Sequence, residues 1–468
     1  MSDDFKAGDT LSFINNQRKA ANKRSTQHRT EDFAEIYQNS DSQNLQIQAD
    51  RCLDCGNPYC EWKCPLHNYI PNWLELVSNG HYEKAAIIMH QTNPLPEICG
   101  RVCPQDRLCE QACTLNTGFG AVTIGSIEKN ITDLAIKNNW RPDLSLVKVT
   151  GKRVAIVGAG PAGLGCAELL VRNGVKAVVY DRYPEIGGLL TFGIPSFKLE
   201  KEILIKRRKF LEDIGVKFQL NTEIGKDITI DELQSDYDAV FLGMGTYNAV
   251  DGNLKGRDTS GVLQSLDYLI GNINQQQSYA MHNSQYHDLK NKTVIVLGGG
   301  DTAMDCVRSA IRQQAKSVTC VYRKDQAAMP GSKTEVQNAK EEGVEFIFHL
   351  QPTEVTSENS IVNGVNFTRT DYDQLKYKNK LVFLQADCVI LAFGFRASST
   401  AWFKSAGIKT EDSGLVATTN NSQSTTREGV YAGGDMVSGA DLVVTAIAQG
   451  RDAAKEIMTY LGVIDNSE

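Results

Sequence analysis

Near residue 145 the rhythm of hydrophobic and polar positions along the chain changes. Before that point, apolar residues recur at helical spacing in short stretches, separated by cysteine-bearing loops. Ile70-Pro71-Asn72-Trp73-Leu74-Glu75-Leu76-Val77 predicts a helix with proline in its first turn, stopping near Asn79-Gly80. A second amphipathic helix is expected around Tyr82 to Met89. The Cys64-Pro65 and Cys103-Pro104 pairs break helices where ligands would have to face a cofactor. The polar stretch before Asp50 reads as an arm or a partner-contacting extension.

From Gly151 onward the pattern is that of alternating strands and helices. Val154-Ala155-Ile156-Val157 is a short apolar run of the kind that forms a parallel strand buried on both faces. It leads through a glycine turn into a helix, Leu164 to Arg172, and then the strand Val178-Val179-Tyr180. The same order returns with Thr293 to Leu297, Gly298-Gly299-Gly300, and the strand Ser317 to Tyr322. Gln275-Gln276-Gln277, between the two units, reads as a surface loop. Val389 to Gly394 and Val430 to Asp435 are further apolar strands ending in glycine, and Leu442 to Met458 is helical.

The length of 468 residues accommodates about three domains. With 41% hydrophobic and 22% charged residues the chain is globular rather than disordered. A net charge of −7 disfavours a nucleic-acid partner. No apolar run approaches the ~18 residues of a membrane span. The start, Met1-Ser2-Asp3-Asp4-Phe5-Lys6, lacks the layout of a secretion signal, so a cytoplasmic location is expected.

Gly158-Ala159-Gly160-Pro161-Ala162-Gly163 is a dinucleotide-binding turn in its proper setting between strand and helix. Gly158 permits the turn, Gly160 lets a pyrophosphate approach the backbone, and Gly163 lets the helix pack on the strand. Asp181, after the second strand, is the acid expected to accept from a ribose hydroxyl. In the second unit Gly298, Gly300 and Ala303 fit the G-x-G-x-x-A variant, but Arg323-Lys324 stands where Asp181 stands in the first. An acid there would repel a 2′-phosphate and a guanidinium would grip it, so NADPH is assigned to the second unit. A flavin then suits the first, and Gly433-Gly434-Asp435 with the helix beginning near Thr445 suits its ribityl chain and ring.

Eight of the 12 cysteines fall between Cys52 and Cys113. The runs are Cys52-x2-Cys55-x4-Cys60-x3-Cys64-Pro65 and Cys99-x3-Cys103-Pro104-x4-Cys109-x3-Cys113. A disulfide framework does not suit a long chain without an export signal. Only one C-x2-C pair occurs, so the spacing favours iron–sulfur over zinc, with enough thiolates for two [4Fe–4S] clusters. Cys166, Cys306, Cys320 and Cys388 read as small buried hydrophobes, and His67 and His90 as structural. Hydride transfer needs no side-chain acid or nucleophile, so no catalytic residue is named.

The expected fold is α/β, with two Rossmann-like dinucleotide-binding domains preceded by a mainly α-helical iron–sulfur domain. The FAD domain would be split by an inserted NADP domain. The division is 1–145 (two [4Fe–4S] clusters), 146–285 (FAD domain, first part), 286–386 (NADPH domain) and 387–468 (FAD domain, second part).

Several segments together resemble the small subunits of bacterial NADPH-dependent glutamate synthases. They are Cys52 to Pro65, Glu97 to Pro104, Gly187-Gly188-Leu189-Leu190-Thr191-Phe192-Gly193-Ile194-Pro195, Gly298 to Cys306 with Asp301 and Thr302, Ala432 to Asp435, and Thr445 to Arg451. The resemblance covers nearly the whole chain. It implies FAD at the first unit, touching Arg182, Gly188, Leu189, Gly394, Gly434, Asp435 and Thr445. It implies NADPH at the second, touching Gly299 to Ala303, Arg323 and Lys324. It further implies that Cys52, Cys55, Cys60 and Cys113 hold one cluster. Cys64, Cys103 and Cys109 would hold the other, with Cys99 or Glu128 as fourth ligand. The implied partner is a large subunit carrying FMN and another iron–sulfur cluster, where glutamine and 2-oxoglutarate become glutamate. Alone, the chain is expected to oxidise NADPH with artificial acceptors and to make no glutamate. An electron-input subunit of a ferredoxin–NADP transhydrogenase or a sulfide dehydrogenase is the near alternative. A zinc-stabilised nucleotide sensor is the distant one.

Overall fold

The computed structural model describes residues 11–279, 285–371, 381–397, 400–419 and 422–465. The N-terminal part is built of short helices around Trp73, Leu74, Val77, Met89, Ile127 and Ile131, all buried. The predicted helices are there as Ile70–Ser78 and Tyr82–Thr92.

Two parallel five-stranded sheets follow. The first has the order Val430–Ala432, Ala239–Leu242, Arg153–Val157, Lys176–Tyr180, Lys217–Gln219. The second has the order Val262–Gln264, Cys388–Leu391, Thr293–Leu297, Ser317–Tyr322, Glu345–Phe348. The central strands are buried along their length, as uninterrupted apolar runs require when both faces are covered. A three-stranded antiparallel sheet of Leu350–Glu358, Ile361–Arg369 and Leu381–Gln385 flanks the second.

The chain leaves the first sheet after Leu242 and returns to it only at Val430. Asn248–Ala249 on the way out pairs with Phe395–Arg396 on the way back. The second domain is thus an insertion in the first, but its limits differ from those expected at 286 and 386. Val262–Gln264 and Cys388–Leu391 hydrogen-bond into the second sheet, and Tyr268 and Leu269 pack in its core, so the inserted domain runs from about residue 250 to about 395. Gln275-Gln276-Gln277 is the last turn of the helix Ser265–Gln277, not a loop.

From residue 11 on, the described stretch before Asp50 is no free arm. Its helix Ser42–Ala49, capped by Asp41, buries Leu45 and Ala49. Arg29, only 1% exposed, pairs with Glu341 at 2.8 Å and with Glu342 at 3.1 Å in the inserted domain. Among the described residues no helix is long and apolar enough to cross a membrane.

Candidate functional site

One cleft of about 1160 Å³ joins the two glycine turns. At the first, Gly158 has φ +105°, and a Cβ there would stand 2.4 Å from the Gly243 carbonyl oxygen. A Cβ on Gly163 would meet the Gly158 oxygen at 1.9 Å, whereas Gly160 opens onto free space. The turn has therefore the two close approaches and the one open face expected of a pyrophosphate cradle at a helix N-terminus, here the helix Pro161–Arg172. Asp181 accepts from Ala159 N at 2.6 Å and from Tyr183 N at 2.9 Å, and burial raises its carboxyl above the usual range. Arg182 lies over the rings of Tyr183 and Tyr247, 4.8 and 5.0 Å from their centroids.

Gly158, Gly160, Pro161, Ala162, Asp181, Arg182, Gly188, Leu189, Gly300, Asp301, Thr302, Gly394, Gly434 and Asp435 all line this cleft. Burial pushes Asp435 up to about 6. Gly163, Gly299 and Ala303 pack beneath the turns, against Gly158, the Tyr322 ring and the apolar core respectively. Thr445 is half-buried between the lining residues Val443 and Ala446. Arg323 and Lys324 are exposed just past the strand Ser317–Tyr322, outside the cleft lining. The pattern reading missed Gly243-Met244-Gly245 and Tyr247, although Ala239–Leu242 is another apolar strand ending in glycine. Lys198, Asp305 and Thr334, also in the lining, carry no local signal.

Seven of the eight clustered thiols fall into two groups. Cys52, Cys55, Cys60 and Cys113 surround one small cavity walled by Leu74, Val122 and Ile124. Cys64, Cys103 and Cys109 form the second group and lie within electrostatic reach of Glu128. Cys60 in turn reaches Cys109, so the groups adjoin. Among the described residues no three His, Cys, Asp or Glu side chains converge as ligands of a single metal ion. Burial pushes Cys52, Cys60 and Cys64 up to about 12, so ligation would have to displace their protons. The donor chemistry, thiols in both groups, suits iron–sulfur clusters.

Glu128 is buried, and burial pushes it up to about 8 even though Oε1 accepts from Asn68 and Asn93, each at 3.0 Å. Cys99 is buried and donates to Asn93 Oδ1 at 3.7 Å. Cys103 itself lines the nucleotide cleft, together with Val102, Pro104 and Gln105. His90 is structural: its ring packs on Trp140 and Phe210, and burial lowers its pKa well below the usual value. Cys166, Cys306, Cys320 and Cys388 are buried in the two sheet domains.

Residues 29–140 match the family model described as dihydropyrimidine dehydrogenase domain II, 4Fe-4S cluster. Residues 152–450 match that of pyridine nucleotide-disulphide oxidoreductases. FprA from Mycobacterium tuberculosis in complex with NADPH has the same fold, with a TM-score of 0.54 and 18% identity over 66% of this chain and 85% of that one. Fold and site together define a pyridine-nucleotide oxidoreductase fused to an iron–sulfur domain. The glutamate synthase [NADPH] small chain of Halomonas elongata is 54% identical, covering 96% of this chain and 98% of that one. That of Escherichia coli is 52% identical over the same shares. The putative oxidoreductase AegA of Escherichia coli is 50% identical over 92% of this chain but only 68% of its own length. The chain belongs to the family of NADPH glutamate synthase small chains, which makes it an NADPH-dependent oxidoreductase.

Proposed function

We propose that this chain is the electron-input subunit of a glutamate synthase. In this reading NADPH binds at the second glycine turn and FAD at the first. Two [4Fe–4S] clusters carry electrons to the FMN of a large subunit, which makes glutamate from glutamine and 2-oxoglutarate. The observation that carries the reading is the single cleft that runs from both glycine turns to Cys103. A bound flavin supplies the conversion, accepting two electrons as hydride and yielding them singly to clusters that each take one.

The residues would divide the work as follows. Gly158, Gly160 and Gly163 would cradle the FAD pyrophosphate, Asp181 would hold its ribose, and Gly188, Leu189, Gly394, Gly434 and Asp435 would border the rest of it. Arg182, stacked on Tyr183 and Tyr247, would close the adenine end. Gly299 to Ala303 would hold the NADPH pyrophosphate, and the exposed Arg323 and Lys324 its 2′-phosphate. Cys52, Cys55, Cys60 and Cys113 would ligate one cluster; Cys64, Cys103 and Cys109 the other.

For the fourth ligand of the second cluster we favour Glu128 over Cys99. The buried carboxyl of Glu128 lies within electrostatic reach of all three thiols of the second group. Cys99 then serves as a neighbour of the ligand Cys103.

The test is anaerobic purification of the full chain, with iron, sulfide and flavin measured per polypeptide. Eight irons, one FAD and NADPH-driven bleaching of the flavin are expected, with glutamate formed only after a large subunit is added. Iron-free thiols in an active preparation would overturn the reading. The relative AegA, of similar identity and greater length, favours one second reading: the same electron input serving another acceptor. Failure of a glutamate synthase large subunit to take electrons would favour that one.

A further inference from the structure

The segment Phe197-Lys198 of the first nucleotide domain is plugged into the inserted domain. The Phe197 ring, fully buried, lies under the guanidinium groups of Arg308 and Arg312, at 4.4 and 3.9 Å. Next to it, Lys198 Nζ reaches Asp305 at 2.8 Å and Glu335 at 3.7 Å, both in the inserted domain. Glu335 is in turn bonded to Arg308 at 2.6 Å, and Arg308 to Glu342 at 2.9 Å. From behind, the N-terminal segment closes on the same place, with Ile36 N donating to the Phe197 carbonyl at 3.2 Å and Arg29 pairing with Glu342. Lys198, Asp305 and Glu335 all line the cleft that joins the two glycine turns.

A side chain from one domain that ends, desolvated, on two carboxylates of the other fixes the distance and angle between them. Its bonds are strong because water is excluded, and few alternative partners compete. The chain crosses between these domains at only two places, through Asn248–Ala249 and Phe395–Arg396, so the covalent linkage alone leaves their orientation soft. We propose that Lys198 is a positioning residue for hydride transfer. Its bridge to Asp305 and Glu335 sets the inserted domain at the orientation in which the nicotinamide meets the flavin. The proposal rests on the reading of the two turns as FAD and NADPH sites. Hydride transfer would break the nicotinamide C4–H bond as the flavin N5–H bond forms, with both electrons moving with that hydrogen. Donor and acceptor must therefore be in contact, and a misplacement of 1 Å costs up to about 10²-fold in rate.

The experiment compares wild type with Lys198→Met, Lys198→Arg and Asp305→Asn as full chains purified anaerobically with clusters and flavin. Four quantities are measured: flavin per chain, NADP⁺ affinity, the stopped-flow rate of flavin reduction by NADPH, and the long-wavelength absorbance of nicotinamide stacked on oxidised flavin. Lys198→Met is expected to keep its flavin and to bind NADP⁺ within about threefold of wild type. Its flavin reduction should fall by at least about tenfold, with loss of the stacking band. Lys198→Arg should restore both. Lys198→Met leaves Asp305 without its cation, whereas Glu335 keeps Arg308, so Asp305→Asn breaks the bridge from the other side and should give the same split. An unchanged rate in Lys198→Met overturns the proposal. So does a loss in both variants that follows lost flavin or lost NADP⁺ affinity, which is what a purely structural role would give. If wild type is not reduced by NADPH at all, the underlying reading fails and this inference with it. If wild type is reduced and Lys198→Met is reduced as fast, only the inference fails.

Discussion

At the first glycine turn the Ala159 carbonyl accepts a hydrogen bond from Gly187 N at 2.7 Å. At the second turn the Gly299 carbonyl, in the same place of the motif, accepts one from Gly331 N at 3.0 Å. In both units a segment that follows the second strand thus crosses back over the turn, but the two crossings are tied down differently. Residues 187–195 are tied by hydrogen bonds within their own domain, through Lys201 Nζ donating to the carbonyls of Leu190 (2.9 Å) and Ile194 (2.5 Å), while Phe192 packs on Leu266 and Ile270 of the inserted domain. Residues 330–332 are held in part by a neighbour. Arg107 of the iron–sulfur domain donates to Asp301 and to the Pro330 carbonyl, and Asp106 accepts from Ser332 Oγ and Lys333 N. The hydrogen bonds of the first crossing are internal to its domain, and those of the second include a docked neighbour's. That difference suits a cofactor that stays and a nucleotide that exchanges.

The hardest break of this comparison is made at the first turn itself. Gly163→Ala would put a methyl group 1.9 Å from the Gly158 oxygen, where both partners are backbone and cannot give way. Flavin content near zero and a loss of NADPH oxidation of at least about 100-fold are expected. Flavin per chain checks this, and full occupancy would mean that the turn is not the cradle. Next comes the contrast between the strand ends. Arg323→Ala should cut the preference for NADPH over NADH by roughly 10- to 100-fold, the worth of charge-assisted bonds to a phosphate, without touching flavin content. Steady-state kinetics with both nucleotides decides it. An unaltered preference would remove the chemical difference between the two units.

Much of this plan was legible in the sequence. The central strands are apolar runs ending in glycine, and a parallel strand covered on both faces has no other pattern to show. The grouping of strands into sheets was less legible, because Val389-Ile390-Leu391 looks the same whether it pairs with Thr293–Leu297 or with Arg153–Val157. The boundary expected at 387 fell in the wrong place for that reason. Arg29 looked solvated, since its partners Glu341 and Glu342 lie some three hundred residues away in the chain. The crossing at 187–195 stood out only through family resemblance. Met329-Pro330-Gly331-Ser332 had an ordinary turn composition, and nothing local says that it lies over another turn. Lys198 and Lys201 were invisible for a related reason: a buried lysine is defined by carbonyls and carboxylates brought to it from elsewhere.

Lys201 sharpens the comparison through pH. Burial pushes its ammonium down to about 7 from 10.5, with Lys198 pushing the same way and Asp305 opposing. A depressed folded-state pKa on a cationic group means that the folded form binds its proton less well than the unfolded form. The resulting penalty is absent above pH 10.5, grows as the pH falls, and is complete below about 7. Between pH 7 and pH 9 the stability of wild type relative to Lys201→Met should therefore rise by about 2 kcal/mol, as two pKa units of relieved penalty require. Denaturant unfolding of both proteins at the two pH values measures it. A difference independent of pH would mean that the crossing is not held by a desolvated amine.

The smallest effect should come from the tie that is particular to the second turn. Asp301 opens the helix Asp301–Arg312, and its Oδ2 takes a bond from Arg107 Nη2 at 3.1 Å while Oδ1 accepts from Ser332 N at 2.8 Å. A carboxylate at that helix end works against a bound pyrophosphate, and Arg107 cancels part of its charge. Arg107→Ala should then weaken NADPH binding and leave the flavin untouched, because the bonds of Arg107 go to Asp301 and the Pro330 carbonyl at the second turn. Both partners are more than a third exposed, so the pair is worth at most about 1 kcal/mol, or about fivefold in the KM for NADPH. Salt screens exposed charges, and the difference between variant and wild type should shrink as ionic strength rises. A KM that does not move, or flavin that leaves together with the nucleotide, would show that the two turns are closed in the same way after all.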